Sequence, residues 1–238
     1  MAGENSKSGR RRRKVDAEAQ KDFETTRKEK IAENWVPKTE LGKKVKNGEV
    51  SSLEQLFETN LPVMESEIID SLTPDMDEEL VEFTKTTRVV RSGRIFAFRA
   101  SVLVGNRNGF IGIGSAKDKE KVSAIKKATN SAKLNLVKVR RGCGSWECAC
   151  GMQHSVPFKV DGNCASVKIK LMPAPKGVGL VVGDNIKPVF KFAGISDVWA
   201  ESRGSTGTKL NFVKAAVDAL AKTSRMKMSD SIKRKMEK

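Results

Sequence analysis

The 238-residue sequence has no tyrosine, a single histidine and only four cysteines, and aromatic side chains make up 5% of it. This shortage of aromatics argues against a protein that binds single strands chiefly by stacking bases on its side chains. No apolar run approaches the roughly 20 residues needed to span a bilayer, so we expect no membrane segment. The N-terminus begins Met-Ala-Gly and continues with polar and basic residues, so we also expect no secretory signal.

Basic residues, by contrast, are abundant. The formal net charge is +16, from 45 Lys and Arg against 29 Asp and Glu. Such an excess predicts a polyanionic partner such as a nucleic acid. Clustered cysteines in a chain without a secretory signal predict reduced thiols in the cytoplasm. We expect neither a membrane partner nor a small-molecule substrate.

The charge is unevenly distributed and divides the chain into segments. Residues 47–84 hold eleven acidic side chains and no Lys or Arg. The block of Arg and Lys at 10–14 is expected to order on nucleic acid, with a localisation signal or a solvated tail as alternatives. From end to end we predict a basic, largely flexible arm (1–48), an acidic helical segment (49–75), a double-stranded-RNA-binding-like domain (76–142), a zinc loop (143–154), an α+β domain (155–224) and a basic tail (225–238).

Two short helices are predicted in and just after the acidic segment. Apolar residues recur there at helical spacing in two groups, Ile68, Ile69 and Leu72, then Leu80, Val81 and Phe83. The sequence Thr-Pro-Asp at 73–75 separates them and provides a cap for the second helix. We expect the carboxylates to face solvent, with docking to a basic protein as the alternative.

The segment after residue 86 has the strongest strand pattern. We predict a strand at 87–90, a basic turn at 91–94, a strand at 96–104, a hairpin loop at 105–109 and a strand at 110–114. A helix follows, on the apolar positions Val122, Ile125, Thr129, Ala132 and Leu136. Three strands and a helix with basic turns are the layout of a double-stranded-RNA-binding domain, which recognises A-form shape.

The last third of the chain predicts a second α+β domain. Its expected elements are paired strands at 156–160 and 165–171 around Asp161-Gly162, a helix at 186–194, a strand at 197–201 and a helix at 211–222. The predicted fold class is therefore α+β for the whole chain, with a zinc loop between the two folded parts.

Three of the four cysteines and the only histidine fall between residues 143 and 154. Cys143, Cys148, Cys150 and His154 are the ligand types that Zn²⁺ prefers, and four of them complete a closed tetrahedral site. We predict one structural zinc ion that fixes the angle between the two folded parts. Unrelated polar residues in a loop, or a catalytic zinc with Glu147 as base, are the alternatives. Cys164 is expected to be a small buried residue and a reserve ligand.

Residues 173–180, here called the Gly-rich loop, resemble in part the glycine loop of the galactokinase and homoserine-kinase superfamily. That resemblance implies phosphate binding and leaves phosphotransfer open as an alternative. Val181 and Val182 stand where those enzymes have serines, however, and no spaced acidic residues offer a Mg²⁺ site. The same backbone amides would also suit an RNA phosphate.

Several segments, taken in order, closely resemble the S-five family of small-subunit ribosomal proteins. They are Arg88-Val89-Val90-Arg91-Ser92-Gly93-Arg94, Val104-Gly105-Asn106-Arg107-Asn108-Gly109, Gly112-Ile113-Gly114, Pro173-Ala174-Pro175-Lys176-Gly177-Val178-Gly179 and Asn211-Phe212-Val213-Lys214-Ala215. The resemblance covers about residues 76–224. The Cys/His loop and the acidic segment are similar to the archaeal branch of that family.

The resemblance implies a non-enzymatic protein that binds small-subunit ribosomal RNA and supports subunit assembly and translational accuracy. It implies a position near the decoding region and the path by which mRNA enters, beside proteins of the S-four and S-eight families. A double-stranded-RNA regulator outside the ribosome is the alternative. The residues expected to contact RNA are Arg91, Gly93, Arg94, Arg99, Asn106, Arg107, Asn108, Lys117, Lys119 and Lys121.

Overall fold

The structure is a computed structural model that describes residues 35–59, 61–148, 150–225 and 227. It divides after Asp75 into two compact units. The Arg/Lys block at 10–14 and nearly all of the predicted basic tail lie outside the described residues. Among the helices that are described, none combines the length and the apolar character needed to cross a bilayer.

The described part of the first unit contains three short helices. They are α1 (Glu40–Lys46), α2 (Leu53–Glu58) and α3 (Glu67–Leu72). The side chain of Thr39 caps α1 by accepting a hydrogen bond from the amide of Gly42 at 3.1 Å. A small apolar cluster holds the helices together through Leu41, Val50, Leu56 and Ile68. The helix predicted around Ile68 is therefore confirmed.

The second predicted helix is wrong, because Leu80, Val81 and Phe83 lie in a long strand, β1 (Asp77–Val90). The cause is a β-bulge: Leu80 pairs with Val102 and Glu82 with Ser101, which leaves Val81 as an extra residue. A bulge shifts the alternation of inward and outward side chains by one position. The apolar residues consequently lost their two-residue period and imitated a helical one.

The first sheet of the second unit is antiparallel, in the order β1-β2-β3-β4. After β1 come β2 (Gly93–Gly105), β3 (Phe110–Asp118) and β4 (Leu136–Lys138). The three strands expected between residues 87 and 114 are therefore present, and β4 is an addition. Leu136, expected in the helix, belongs instead to this fourth strand.

Helix α4 (Lys121–Leu134) covers one face of this sheet. Its buried face is formed by Ala124, Ala128 and Ala132, whereas Val122, expected to be internal, is 63% exposed. Small residues are required because α4 and β3 lie unusually close to each other. A Cβ atom added at Gly114 would stand 2.2 Å from the backbone nitrogen of Ala132.

The second sheet has the order β5-β6-β8-β7. Its strands are β5 (Val160–Cys164), β6 (Val167–Pro173), β7 (Leu180–Val181) and β8 (Val198–Arg203), accompanied by α5 (Lys187–Ala193) and α6 (Lys209–Arg225). The hairpin that joins β5 to β6 turns at Ala165, where φ is 53°. The turn predicted at Asp161-Gly162 is therefore wrong. Gly162 serves a different purpose: a Cβ there would stand 2.2 Å from the carbonyl oxygen of Ala215 in α6.

The two sheets share one hydrophobic core. Leu103 and Ile111 from the first sheet belong to the same buried cluster as Ile169 and Leu171 from the second. Phe190 of α5 lies in this cluster and is fully buried. Burial of this kind is the main stabilising contribution in folding. The arrangement of the sheets thus rests on a continuous core as well as on the Cys/His loop that joins them.

Candidate nucleic-acid interface and metal centre

Strands β1 and β2 extend beyond the rest of the first sheet as a two-stranded ribbon. Strand β3 pairs with β2 only from Gly105 back to Phe98. Among the described residues, the pairs from Thr86–Ala97 to Val90–Gly93 therefore have no further strand beside them. Five residue pairs at about 3.3 Å each give a projection of roughly 17 Å. We call residues 86–97 the ribbon.

All the charged residues of the ribbon and its base are basic. Residues 85–99 include five Lys or Arg and no Asp or Glu. Arg88, Arg91 and Arg94 are all exposed, as is Gly93 in the turn. Gly93 has a φ of 125°, which a residue with a side chain rarely adopts, so the glycine keeps the turn tight. A projecting, purely cationic ribbon is suited to a groove of a nucleic acid.

One face of the ribbon combines positive charge with aromatic rings. The ammonium group of Lys85 lies 3.8 Å from the centre of the Phe96 ring. At the base, the Phe98 ring stacks on Phe83 with 5.5 Å between centroids, and the ammonium of Lys121 lies 5.5 Å from the Phe98 centroid. Such contacts hold long Lys side chains over apolar surface and leave their charged ends accessible.

Not all predicted contact residues lie on that face. Arg99 pairs with Lys117 across β2 and β3, and their side chains lie on the face opposite to Phe98. The guanidinium of Arg99 is 3.8 Å from the carboxylate of Glu82. The predicted cluster is therefore split between two faces of the sheet, with Lys121 on the helix side.

Lys119 stands in the exposed connection between β3 and α4. Its amide donates to the carboxylate of Asp118 at 2.6 Å. The hydrogen bond from Lys127 to Asp118, followed by that amide, lowers the pKa of the Asp118 carboxyl. The side chain of Lys119 is left exposed beside Lys121 at the start of the helix.

The hairpin tip at 106–108 is held by its own contacts. The side-chain oxygen of Asn106 accepts from the amides of Asn108 and Phe110 at 2.8 and 3.1 Å. Arg107 has a φ of 58°, donates its amide to the carbonyl of Phe192 at 2.9 Å and forms an ion pair with Asp77 at 2.7 Å. Asn106 and Arg107 thus have structural roles that the sequence did not indicate.

The four predicted metal ligands are brought together. The ligand atoms of Cys143, Cys148, Cys150 and His154 all lie within 4.8 Å of one another. A tetrahedral zinc ion at about 2.3 Å from each sulfur requires ligand atoms roughly 3.8 Å apart. The Sγ of Cys148 and the Nε2 of His154 lie 3.8 Å apart, close to the roughly 3.5 Å that a sulfur and a nitrogen on one tetrahedral ion require. The donor set and its spacing fit a structural zinc ion.

The loop that carries these residues is closed at its base. Gly142 and Ser155 exchange backbone hydrogen bonds of 2.9 Å in an antiparallel bridge. Gly144 passes so close to the chain that a Cβ there would stand 2.1 Å from the carbonyl oxygen of Pro157. Cys164, the predicted reserve ligand, is outside the ligand group and packs against the core. Four protein ligands would fill a tetrahedral site and leave no position for a catalytic water.

The local environment makes the thiol of Cys148 more acidic than that of Cys143. The backbone amide of Lys176, followed by hydrogen bonds from Cys150, lowers the pKa of Cys148 to about 6. Burial and the neighbouring thiols raise the pKa of Cys143 to about 11. Since the thiolate is the form that binds metal, Cys148 is better prepared than Cys143 for the first bond.

Sequence reasoning missed Asp197, which lies directly behind His154. Its Oδ2 is 2.8 Å from the Nδ1 of His154, and its Oδ1 accepts from the amides of Gly177 and Gly179 at 3.0 and 2.8 Å. Burial raises the pKa of Asp197, but the hydrogen bonds from Gly179, Ser196, His154 and Gly177 outweigh it and lower the pKa overall. A separation of 43 residues left no local pattern that would have linked Asp197 to the histidine.

Comparison with known proteins matches both folded parts of the second unit. The family model of the ribosomal protein S5 N-terminal domain matches residues 76–140, and that of the S5 C-terminal domain matches residues 162–235. The first covers the four-stranded sheet with the ribbon and α4. The Cys/His loop lies between the two matched ranges.

Curated relatives extend the match over most of the chain. The small ribosomal subunit protein uS5 of Methanobrevibacter smithii is 50% identical over 204 residues, which is 86% of this chain and 96% of that protein. The protein of the same name from Staphylothermus marinus is 51% identical over 191 residues, 80% of this chain and 89% of that protein. These relatives are archaeal, as the resemblance implied. The chain belongs to the ribosomal protein S5 family.

Proposed function

We propose that this protein is a structural component of the small ribosomal subunit and binds its ribosomal RNA chiefly through the ribbon. The observation that carries the proposal is the projection of residues 86–97 beyond β3, with charged residues that are all basic. The family membership supports it, because the relatives are named small ribosomal subunit proteins. The role is that of a scaffold and not of an enzyme.

The chemistry of the ribbon favours recognition of the RNA backbone. Arg88, Arg91 and Arg94 can each donate to phosphate oxygens, and release of counterions from those phosphates drives binding. Phe96, 46% exposed under Lys85, offers a flat apolar surface to a sugar or an unstacked base. Lys119 and Lys121 at the start of α4 extend the same cationic surface towards the sheet.

We assign a structural zinc ion to Cys143, Cys148, Cys150 and His154. When bound, the ion would supply only cross-linking of the loop, since all four positions are occupied by protein atoms. Its support is the mutual spacing of the ligand atoms and the buried carboxylate behind the histidine. The ion would hold the loop that joins the two sheets.

We infer the location and the protein neighbours from the resemblance. A member of this family would work in the cytoplasm, near the decoding region and the path of incoming mRNA. Its protein neighbours would be members of the S-four and S-eight families. The exposed cationic ribbon is compatible with an RNA partner, and the mixed charges of the first unit are compatible with a protein partner.

Two alternatives are weaker. A free double-stranded-RNA regulator would use the same ribbon, but it would not require the second sheet with its family match. A kinase-like use of the Gly-rich loop conflicts with its hydrogen bonds, because the amides of Gly177 and Gly179 donate to Asp197. A phosphate would have to displace that carboxylate.

Sedimentation of an extract of cells that make the protein tests the ribosomal assignment. On a sucrose gradient at moderate salt, the protein is expected in the peak of the small subunit. If the protein stays at the top of the gradient while the other small-subunit proteins sediment, the ribosomal assignment is wrong and the regulator is favoured.

A further inference from the structure

We propose that Asp197 is a positioning residue that couples the metal centre to the Gly-rich loop, so that zinc binding orders a surface segment that contributes no ligand. The inference rests on the zinc ion assigned above and goes beyond it. The four ligands account for the metal, but they do not account for the buried carboxylate behind them.

The first step is the contact between Asp197 and His154. The side chains are 6% and 9% exposed, and Oδ2 lies 2.8 Å from Nδ1. A carboxylate at this distance favours the tautomer with the proton on Nδ1, which leaves the lone pair of Nε2 for the metal. That nitrogen is the one directed at the sulfur of Cys148, 3.8 Å away. Asp197 therefore prepares His154 as a ligand.

The second step is that the contact is fixed at the backbone as well. The carbonyl oxygen of His154 accepts hydrogen bonds from the amides of Ser196 and Asp197 at 3.0 and 3.1 Å. The hydroxyl of Ser196 donates to the Oδ2 of Asp197 at 3.0 Å. The histidine and the carboxylate are consequently held as one rigid group, and a displacement of one moves the other.

The third step leads from Asp197 into the Gly-rich loop. The Oδ1 atom accepts hydrogen bonds from the amides of Gly177 and Gly179 at 3.0 and 2.8 Å. Two amides of one short segment are thus directed at the carboxylate behind a metal ligand. Gly177 and Gly179 have φ of 95° and 75°, which permits this inward orientation of their amides.

The consequence is a coupling between the zinc ion and the surface formed by the Gly-rich loop. A metal bound to Nε2 makes the Nδ1 proton a stronger donor and strengthens its bond to the carboxylate. Without the ion, the imidazole is no longer anchored through Nε2, and Asp197, the acceptor of the two amides, is held less firmly. The loop also presents Val178, which is 38% exposed, so the shape of this surface depends on the metal.

Hydrogen exchange of the full-length protein, zinc-saturated and after removal of zinc by a chelator, tests the coupling. We expect the amides of Gly177 and Gly179 to exchange at least about tenfold more slowly with zinc, while the interior of α4 is unchanged. Asp197→Asn should lower the zinc affinity by about 10- to 100-fold, the range seen when such outer partners are removed. Asp184→Asn, a matched change at an exposed carboxylate paired with Lys187, should leave both readings at the wild-type value.

His154→Cys separates metal binding from coupling. Four thiolates still form a complete zinc site, but a cysteine cannot reach Asp197, so zinc should bind and no longer slow exchange in the loop. This variant also serves if Asp197→Asn does not fold. Absence of zinc binding in the wild-type protein overturns the zinc assignment and with it the coupling. Wild-type zinc binding with the same loop exchange in both states, or unchanged affinity in Asp197→Asn, overturns the coupling alone.

Discussion

The guanidinium of Arg107 lies 2.7 Å from the carboxylate of Asp77, and this contact gives a residue expected to bind RNA a structural role. The side chain is 64% exposed, so the ion pair contributes less than about 1 kcal/mol to stability. Arg107→Ala is expected to change RNA affinity less than about twofold, because the charge is already paired. A filter-binding titration at fixed salt measures the RNA affinity of the variant and of the wild-type protein. A tenfold loss of affinity would show that Arg107 contacts RNA after all.

The close approach of helix and strand at Gly114 predicts a large loss of stability on substitution. In Gly114→Ala the new methyl group would stand 2.2 Å from the nitrogen of Ala132 and 2.4 Å from the carbonyl oxygen of Ala128, so α4 must move away. Overpacking of this kind costs about 1–3 kcal/mol or more. Urea unfolding of the variant measures the loss, and Gly207→Ala, with nothing within 4 Å of the added Cβ, is the control. Equal stability of the two variants would contradict the described packing of α4.

The sequence predicted the strands well where the period was undisturbed and failed where one residue broke it. The run from Phe96 to Val104 kept its alternation, and β2 was found. The bulge at Val81 shifts the alternation, so the sequence predicts a helix around Leu80 and Phe83, where the first half of β1 lies. Gly162 was interpreted as a turn because close packing against α6 and a tight turn both select glycine.

For the candidate sites, the sequence likewise indicated what lies close together in the chain and not what only the fold brings together. The four metal ligands fall within twelve residues, and their types alone indicated zinc. Asp197 reaches His154 only through the pairing of distant segments, so no spacing pointed to it. The predicted RNA contacts were chosen by charge, and charge could not reveal that Arg107 is paired or that Arg99 and Lys121 lie on different faces.

Phe96 is expected to contribute to RNA binding without contributing to counterion release. Phe96→Ala removes a half-exposed ring from the ribbon, so the folded state should lose little stability. Loss of one stacking or apolar contact weakens RNA binding by about 1–3 kcal/mol, with the salt slope unchanged. Titrations at three salt concentrations measure both quantities. Unchanged affinity would exclude the aromatic face of the ribbon from the interface.

The zinc assignment predicts different outcomes for the cysteines. Cys148→Ser removes a ligand and should abolish stoichiometric zinc and lower the melting temperature, since the metal contributes its binding energy to the folded state. Cys164→Ser changes a cysteine outside the ligand group and should keep one zinc per chain. Elemental analysis of the purified proteins and thermal unfolding measure both. Zinc retained at wild-type content by Cys148→Ser would contradict the assignment.

The central claim, that the ribbon binds ribosomal RNA through its phosphates, is tested most directly by the salt dependence of binding. The full-length protein with Arg91→Ala and Arg94→Ala should show a slope of log affinity against log salt that is smaller by about 1.5, because two phosphate contacts are lost. Lys209→Ala with Lys214→Ala removes the same charge from the exposed side of α6 and should keep the slope. A wild-type slope in the ribbon variant would contradict the account.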